Sequence, residues 1–242
     1  MKSKLITLFL TAIVCNVFAQ FPESTFQSAS NQYYWKNRKP YEGYWQQDVH
    51  YKINARIDDK TDIIDGDIEL TYYNNSPDEL AFVYFHLYSN AQTQDSYLAD
   101  LYRNNKLYPK FGKYQQQGLG TNVSKITANG ADLKMEQDNT VLKVYLPTPL
   151  KAGEKITLQI AFKTYFDNGS IRNRMKMFNA FGYKHYDVVH WYPRISVYDK
   201  KQGWDTDQHM DHEFYGDYGT FDVAFTFPNN YILDATGTLL NK

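Results

Sequence analysis

Alternation of apolar and polar residues recurs in short segments along this 242-residue chain and limits its fold more than any other feature. Val49, Tyr51, Ile53, Ala55 and Ile57 fall on one face of an extended chain, with His50, Lys52, Asn54 and Arg56 on the other. A period of two marks a half-buried β-strand, because successive side chains leave a pleated backbone on opposite sides. Ile68, Leu70 and Tyr72 repeat the pattern against Asp67, Glu69 and Thr71. Ile156, Leu158, Ile160 and Phe162 do so over residues 155–166, and Phe221, Val223, Phe225 and Phe227 near the end. Residues 80–87 are instead a continuous apolar and aromatic run, suited to a strand covered on both faces.

Turn chemistry separates these runs. Asp58-Asp59-Lys60, Asn74-Asn75-Ser76-Pro77-Asp78, Ala152-Gly153-Glu154 and Pro228-Asn229-Asn230 read as turns, and Asn129-Gly130 as a hairpin. Strands are also predicted over 123–128, over 141–146 closed by Pro147 and Pro149, and over 231–240. The spacing of Tyr97, Leu98, Leu101 and Tyr102 predicts one short helical insertion. Residues 107–120 read as an exposed loop and 167–217 as a looser segment. Aromatic residues make up 17% of the chain, which favours pleated surfaces over helices. The expectation is an all-β fold, an antiparallel sandwich or open curved sheet.

Lys2 and Lys4, the apolar run over 5–14 and Val17-Phe18-Ala19 predict a cleaved signal peptide over residues 1–19. That run is too short to span a bilayer, so export to the periplasm, outer surface or medium is expected, with no integral membrane span. Cys15 is the single cysteine and lies inside that signal. Ala12-Ile13-Val14 place no small residue directly before it, which argues against a lipoprotein anchor. The mature chain is then without disulfides, thiol nucleophile or cysteine metal ligands. Residues 20–45 are expected to form an N-terminal arm anchored by Tyr33, Tyr34, Trp35, Tyr44 and Trp45, and residues 46–242 the β domain. With 26 basic and 27 acidic residues, the chain shows no basic excess, which argues against a nucleic-acid partner.

Candidate chemistry centres on residues 167–217. His209 and His212 stand at i and i+3 beside carboxylates, and on a helix they could share a zinc ion. They do not form H-E-x-x-H, and a catalytic zinc needs a third ligand and outer support, so a polar loop explains them more simply. His185 and His190 are an odd number apart, and in a strand they point to opposite faces. Asp58 and Asp59 fit a turn better than a glycosidase pair. Trp191, Tyr192, Tyr198 and Trp204 either stack on sugar rings or pack against the sandwich. The chain has no G-x-S-x-G, P-loop or G-x-G-x-x-G.

Two stretches carry a resemblance. The first is Phe82-Val83-Tyr84-Phe85-His86-Leu87-Tyr88-Ser89-Asn90-Ala91. The second runs from His190-Trp191-Tyr192-Pro193-Arg194-Ile195-Ser196-Val197-Tyr198-Asp199 through Gly203-Trp204 and Glu213-Phe214-Tyr215-Gly216-Asp217-Tyr218-Gly219-Thr220-Phe221-Asp222-Val223 to Ala235-Thr236-Gly237. In order and spacing the chain from about Trp45 onward resembles the N-terminal domain of bacterial members of the aminopeptidase N family, the gluzincin zinc metallopeptidases. The resemblance implies a saddle-shaped, mainly antiparallel β domain ahead of a thermolysin-like domain. That catalytic domain carries H-E-x-x-H, a distant glutamate and a G-A-M-E-N-type strand, and it begins in the family just past the match to Ala235-Thr236-Gly237.

This chain contains neither motif, so the resemblance implies no catalytic residue and no metal ligand within it. Zinc is expected only in a longer form, and the chain alone is expected not to hydrolyse peptides. The implied partners are the catalytic domain, in cis, and a peptide substrate. In the family the N-terminal domain also supplies a glutamine or glutamate that binds the substrate's free α-amine. The matching stretch is His190-Trp191-Tyr192-Pro193, and the position holds Tyr192, whose phenol accepts a hydrogen bond but lacks the charge. Tyr192 and His190 are therefore the candidate substrate-binding residues. The rival expectation is a stand-alone exported module that binds carbohydrate or a cell surface through its aromatics.

Overall fold

In the computed structural model, the alternating segments over 49–57, 67–72 and 155–166 and the continuous run over 80–87 all become strands, among the longest in the chain. The longer strands up to residue 165 are β1 (Asp48–Asp58), β2 (Ile63–Tyr73), β3 (Leu80–His86), β4 (Thr121–Ala128), β7 (Val141–Leu150) and β8 (Lys155–Tyr165). Short strands β5 (Ala131–Asp132) and β6 (Met135–Asp138) lie between β4 and β7. The later chain adds β9 (Lys176–Ala180), β10 (Tyr183–Asp187), β11 (Arg194–Ile195), β12 (Tyr198–Asp199), β13 (Gly203–Trp204) and β14 (Thr220–Thr226). The structure describes residues 28–31, 34, 36, 40, 42–168, 174–210 and 212–240. The expected signal peptide with Cys15, and Tyr33 and Trp35 of the arm, lie outside the described residues.

The chain divides into two units, Met1–Tyr44 and Trp45–Lys242. In the first, Asn31 N donates to Ser28 O and Tyr34 N to Asn31 O, both at 3.1 Å. The second holds a six-stranded sheet in the order β14-β1-β2-β8-β4-β5 and a four-stranded sheet in the order β11-β3-β7-β6. One buried apolar cluster draws on both, with Tyr51, Ile53, Leu70, Leu158 and Ile160 from the first and Val83, Phe85, Leu142 and Val144 from the second. The all-β expectation holds. No helix among the described residues is long and apolar enough to cross a membrane.

Several local expectations change. β7 runs through Pro147 and Pro149 to Leu150. Its partner β6 pairs only as far as Val144, and β3 pairs there through a register shift, so neither missing N–H breaks a ladder. β3 buries Val83 and Phe85 on one face and only half-covers Phe82 and Tyr84 on the other. The predicted helix forms as α1 (Tyr97–Asn104), with the Ser96 hydroxyl accepting from Ala99 N at its start. It buries Leu98 and Ala99 and leaves Tyr97 and Leu101 exposed.

The loop over 107–120 is not wholly exposed. The buried Asp167 carboxylate accepts from Tyr114 N at 2.5 Å and Gln115 N at 2.9 Å, and Tyr114 OH donates to Thr61 O at 2.5 Å. These bonds draw Tyr114 and Gln115 inside. Residues 231–240 form no strand. The looser segment contains a hairpin, β9 with β10, whose turn places Phe181 at φ 54° and Gly182 at φ 82°. Last, β14 pairs with β1 in parallel, while β1 pairs with β2 antiparallel.

Candidate functional site

His86 ends β3, and its ring points away from the inter-sheet core because Phe85 takes the inner face. Its side chain is 3% exposed and its Nε2 lies 3.4 Å from Asp205 Oδ2 and 3.2 Å from Ser196 Oγ. The Ser196 hydroxyl donates to the Asp205 carbonyl, so its oxygen is free to accept from Nε2–H. No partner meets Nδ1 among the described residues. Serine and aspartate meet the same ring nitrogen, so these three residues lack the geometry of a nucleophilic triad, in which the two partners take opposite nitrogens. Burial pushes the Asp205 carboxyl up, but His86 and the Asp207 N–H outweigh it and hold the group below the ordinary carboxylate range.

Tyr88 follows in the short 3-10 turn Tyr88–Gln92 and gathers the neighbouring rings. It stacks on His86 at 5.1 Å and meets His190, His209 and Phe214 edge-on at 5.3, 5.5 and 4.5 Å. His190 sits outside any strand at φ 54°, a left-handed conformation uncommon for a residue other than glycine. Its ring stacks on Phe214 at 3.7 Å. Burial, then the charges of His209, Arg194 and Arg174, push its imidazole down to about 4. His209 is 7% exposed, takes Thr140 Oγ1 on its backbone N–H at 3.0 Å, and stacks on Phe214 at 4.6 Å. Arg194 donates to Asp217 O at 3.0 Å, and its guanidinium lies so close to Gly216 that a Cβ there would stand 2.2 Å from Nη2.

A cavity of about 320 Å³ lies here, with walls that include His86, Tyr88, Asp205, His209, His212 and Phe214. His209 and His212 lie in irregular chain rather than on a helix, and His212 Nδ1 accepts from Met210 N at 3.3 Å. Among the described residues no three His, Asp or Glu side chains are arranged to hold a metal ion.

Tyr192 packs edge-on against Trp191 at 5.3 Å, Tyr51 at 5.5 Å and Phe221 at 6.1 Å, and burial pushes its phenol up. Neither His190 nor Tyr192 lines the cavity; His190 touches its wall through Tyr88 and Phe214. His185 lies apart on β10, stacked on Phe178. Trp191 is 8% exposed and packs on Phe162 and Phe225, while Tyr198 and Trp204 pack on each other, so these rings serve the sandwich. Sequence reasoning missed His86, Tyr88, Asp205 and Phe214 as one cluster. A histidine inside the apolar run over 80–87 was the available signal, since a buried imidazole needs a polar partner.

Fold and site together define an all-β domain with a histidine- and carboxylate-lined cavity at one margin. No family model matches the chain, and no curated protein matches it. Among solved structures it is similar to the M1 zinc metallopeptidase from Deinococcus radiodurans, at 19% identity and a TM-score of 0.44, over 76% of this chain and 33% of that one. A mutant of that enzyme bound to a Tyr-Ser-Ala substrate matches at 20% identity and a TM-score of 0.41, over 76% and 33%. A two-domain M1 zinc metallopeptidase mutant bound to L-arginine matches at 20% and 0.41, over 77% and 34%. The chain spans about a third of the length of these structures.

Proposed function

We propose that this chain is the non-catalytic N-terminal β domain of an exported zinc metallopeptidase of the aminopeptidase N type. It walls one side of a peptide cleft and docks on a thermolysin-like domain of the same polypeptide. Tyr192 and His190 stand on the cleft side. The zinc belongs to the catalytic domain, where it polarises the scissile carbonyl and activates water.

The observation that carries this reading is an apolar edge beside Tyr192. Phe221 and Val223 of β14 are 45% and 44% exposed, and Ile232 and Leu233 farther on are 101% and 50% exposed. Apolar surface of this kind, on an edge strand, marks an interface. Phe221 also belongs to the stretch by which the sequence resembles the family.

The test is the paired substitution Val223→Lys with Ile232→Lys, which leaves the stacking of Phe221 on Tyr51 intact. In this chain alone it should change stability by less than about 0.5 kcal/mol, as exposed substitutions do. In a polypeptide that carries the catalytic domain, peptidase activity should fall by roughly tenfold or more through lost docking. Unchanged activity there would contradict the docking role.

A further inference from the structure

β14 is the outermost strand of the six-stranded sheet and pairs with β1 on one side only. Its sequence, Thr220-Phe221-Asp222-Val223-Ala224-Phe225-Thr226, reads nearly the same in both directions. We infer that this edge pairs with the same edge of a second copy of the chain, antiparallel and about a two-fold axis at Val223. The two six-stranded sheets then join into one.

The edge has the properties of a template for pairing. Edge strands are commonly blunted by lysine, proline or a bulge. β14 contains no lysine, arginine or proline. It pairs with β1 without a register shift, so no bulge turns it away. All of its residues except Phe225 are exposed. Val223 is exposed although its ladder partner Ile53 is fully buried, so the apolar face of the sheet continues past β1 and is left partly in solvent.

The sequence selects the register. Residues directly opposite in an antiparallel pair share a face, so the apolar row stays continuous only where apolar positions meet apolar positions. A two-fold at Val223 sets Thr220 opposite Thr226, Phe221 opposite Phe225, Asp222 opposite Ala224 and Val223 opposite itself. The whole strand pairs, aromatic meets aromatic, and each aspartate faces an alanine. A two-fold at Asp222 would bring the two aspartates directly opposite each other, which is unfavourable. A two-fold at Ala224 would set Phe221 and Thr220 against Phe227 and Pro228, beyond the end of the strand. With the axis at Val223 the aspartates lie on the diagonal, roughly 7–8 Å apart. Each also has His50 Nε2 of its own copy at 3.5 Å.

One short strand from each copy makes a small interface, of the class that associates weakly. A second copy and a catalytic domain would take this edge in turn, so the pairing does not rest on the docking role.

The test compares sedimentation of the whole chain at about 5 µM and about 500 µM. The expected result is a monomer at the lower concentration and a dimer at the higher. Val223→Lys sets two ammonium groups opposite each other on the axis and should keep the chain monomeric at both. Ala224→Lys sets a cation opposite Asp222 of the second copy, twice by symmetry, and should strengthen association roughly threefold. Both positions are exposed, and an unchanged melting temperature at the lower concentration checks that each variant folds. A monomer at the higher concentration would overturn the pairing. So would a dimer that Val223→Lys leaves intact, or one that Ala224→Lys fails to strengthen.

Discussion

Asn74 is fully buried and ties three segments together. Its Nδ2 donates to Asp78 O at 2.7 Å and Leu150 O at 2.9 Å, while its Oδ1 accepts from Ser76 N, Ser76 Oγ and Gln47 Nε2. Asn74→Ala should cost roughly 1–3 kcal/mol, read as a lowered urea midpoint, because several buried polar groups lose a partner at once. Asp205 governs acid stability in a similar way. Its folded carboxyl is held below the ordinary range, so the folded chain releases that proton more readily than the unfolded chain. The contribution is present at neutral pH and is lost as pH falls below about 4, and Asp205→Asn should flatten the acid limb of a stability-against-pH curve. Of these roles the sequence showed only the turn at 74–78. The partners of Asn74, His86 and Asp205 are distant in the chain, and no local spacing encodes them.

At the scale of elements, the strands with one buried face were readable and the others were not. β1, β2 and β8 bury alternate residues along their length, so burial follows the printed alternation. β9 and β10 were missed because neither buries a face, and their turn is Phe181-Gly182 rather than Asn-Gly. Alternation at β14 was read correctly, but a strand's pattern says nothing about its partner, so the parallel pairing with β1 was not visible. Packing between strands makes its own prediction. Gly66 of β2 faces Phe162 of β8, and a Cβ there would stand 2.6 Å from the ring. Gly66→Ala should therefore destabilise the sandwich by roughly 1–3 kcal/mol through overpacking, measurable as a lowered melting temperature.

At the scale of the molecule, two sheets share one core, and the β14 edge leaves Phe221 and Val223 exposed. The class of fold was legible because alternation, turn residues and aromatic content all pointed one way. The functional reading was legible only through longer runs of residue identity, since composition and periodicity are shared by many sandwiches. The central claim, an N-terminal wall for a zinc peptidase, is tested most directly by reading the coding DNA past the codon for Lys242. The account predicts an open frame that continues to an H-E-x-x-H in the same polypeptide. A stop codon at that point in the native gene would contradict it.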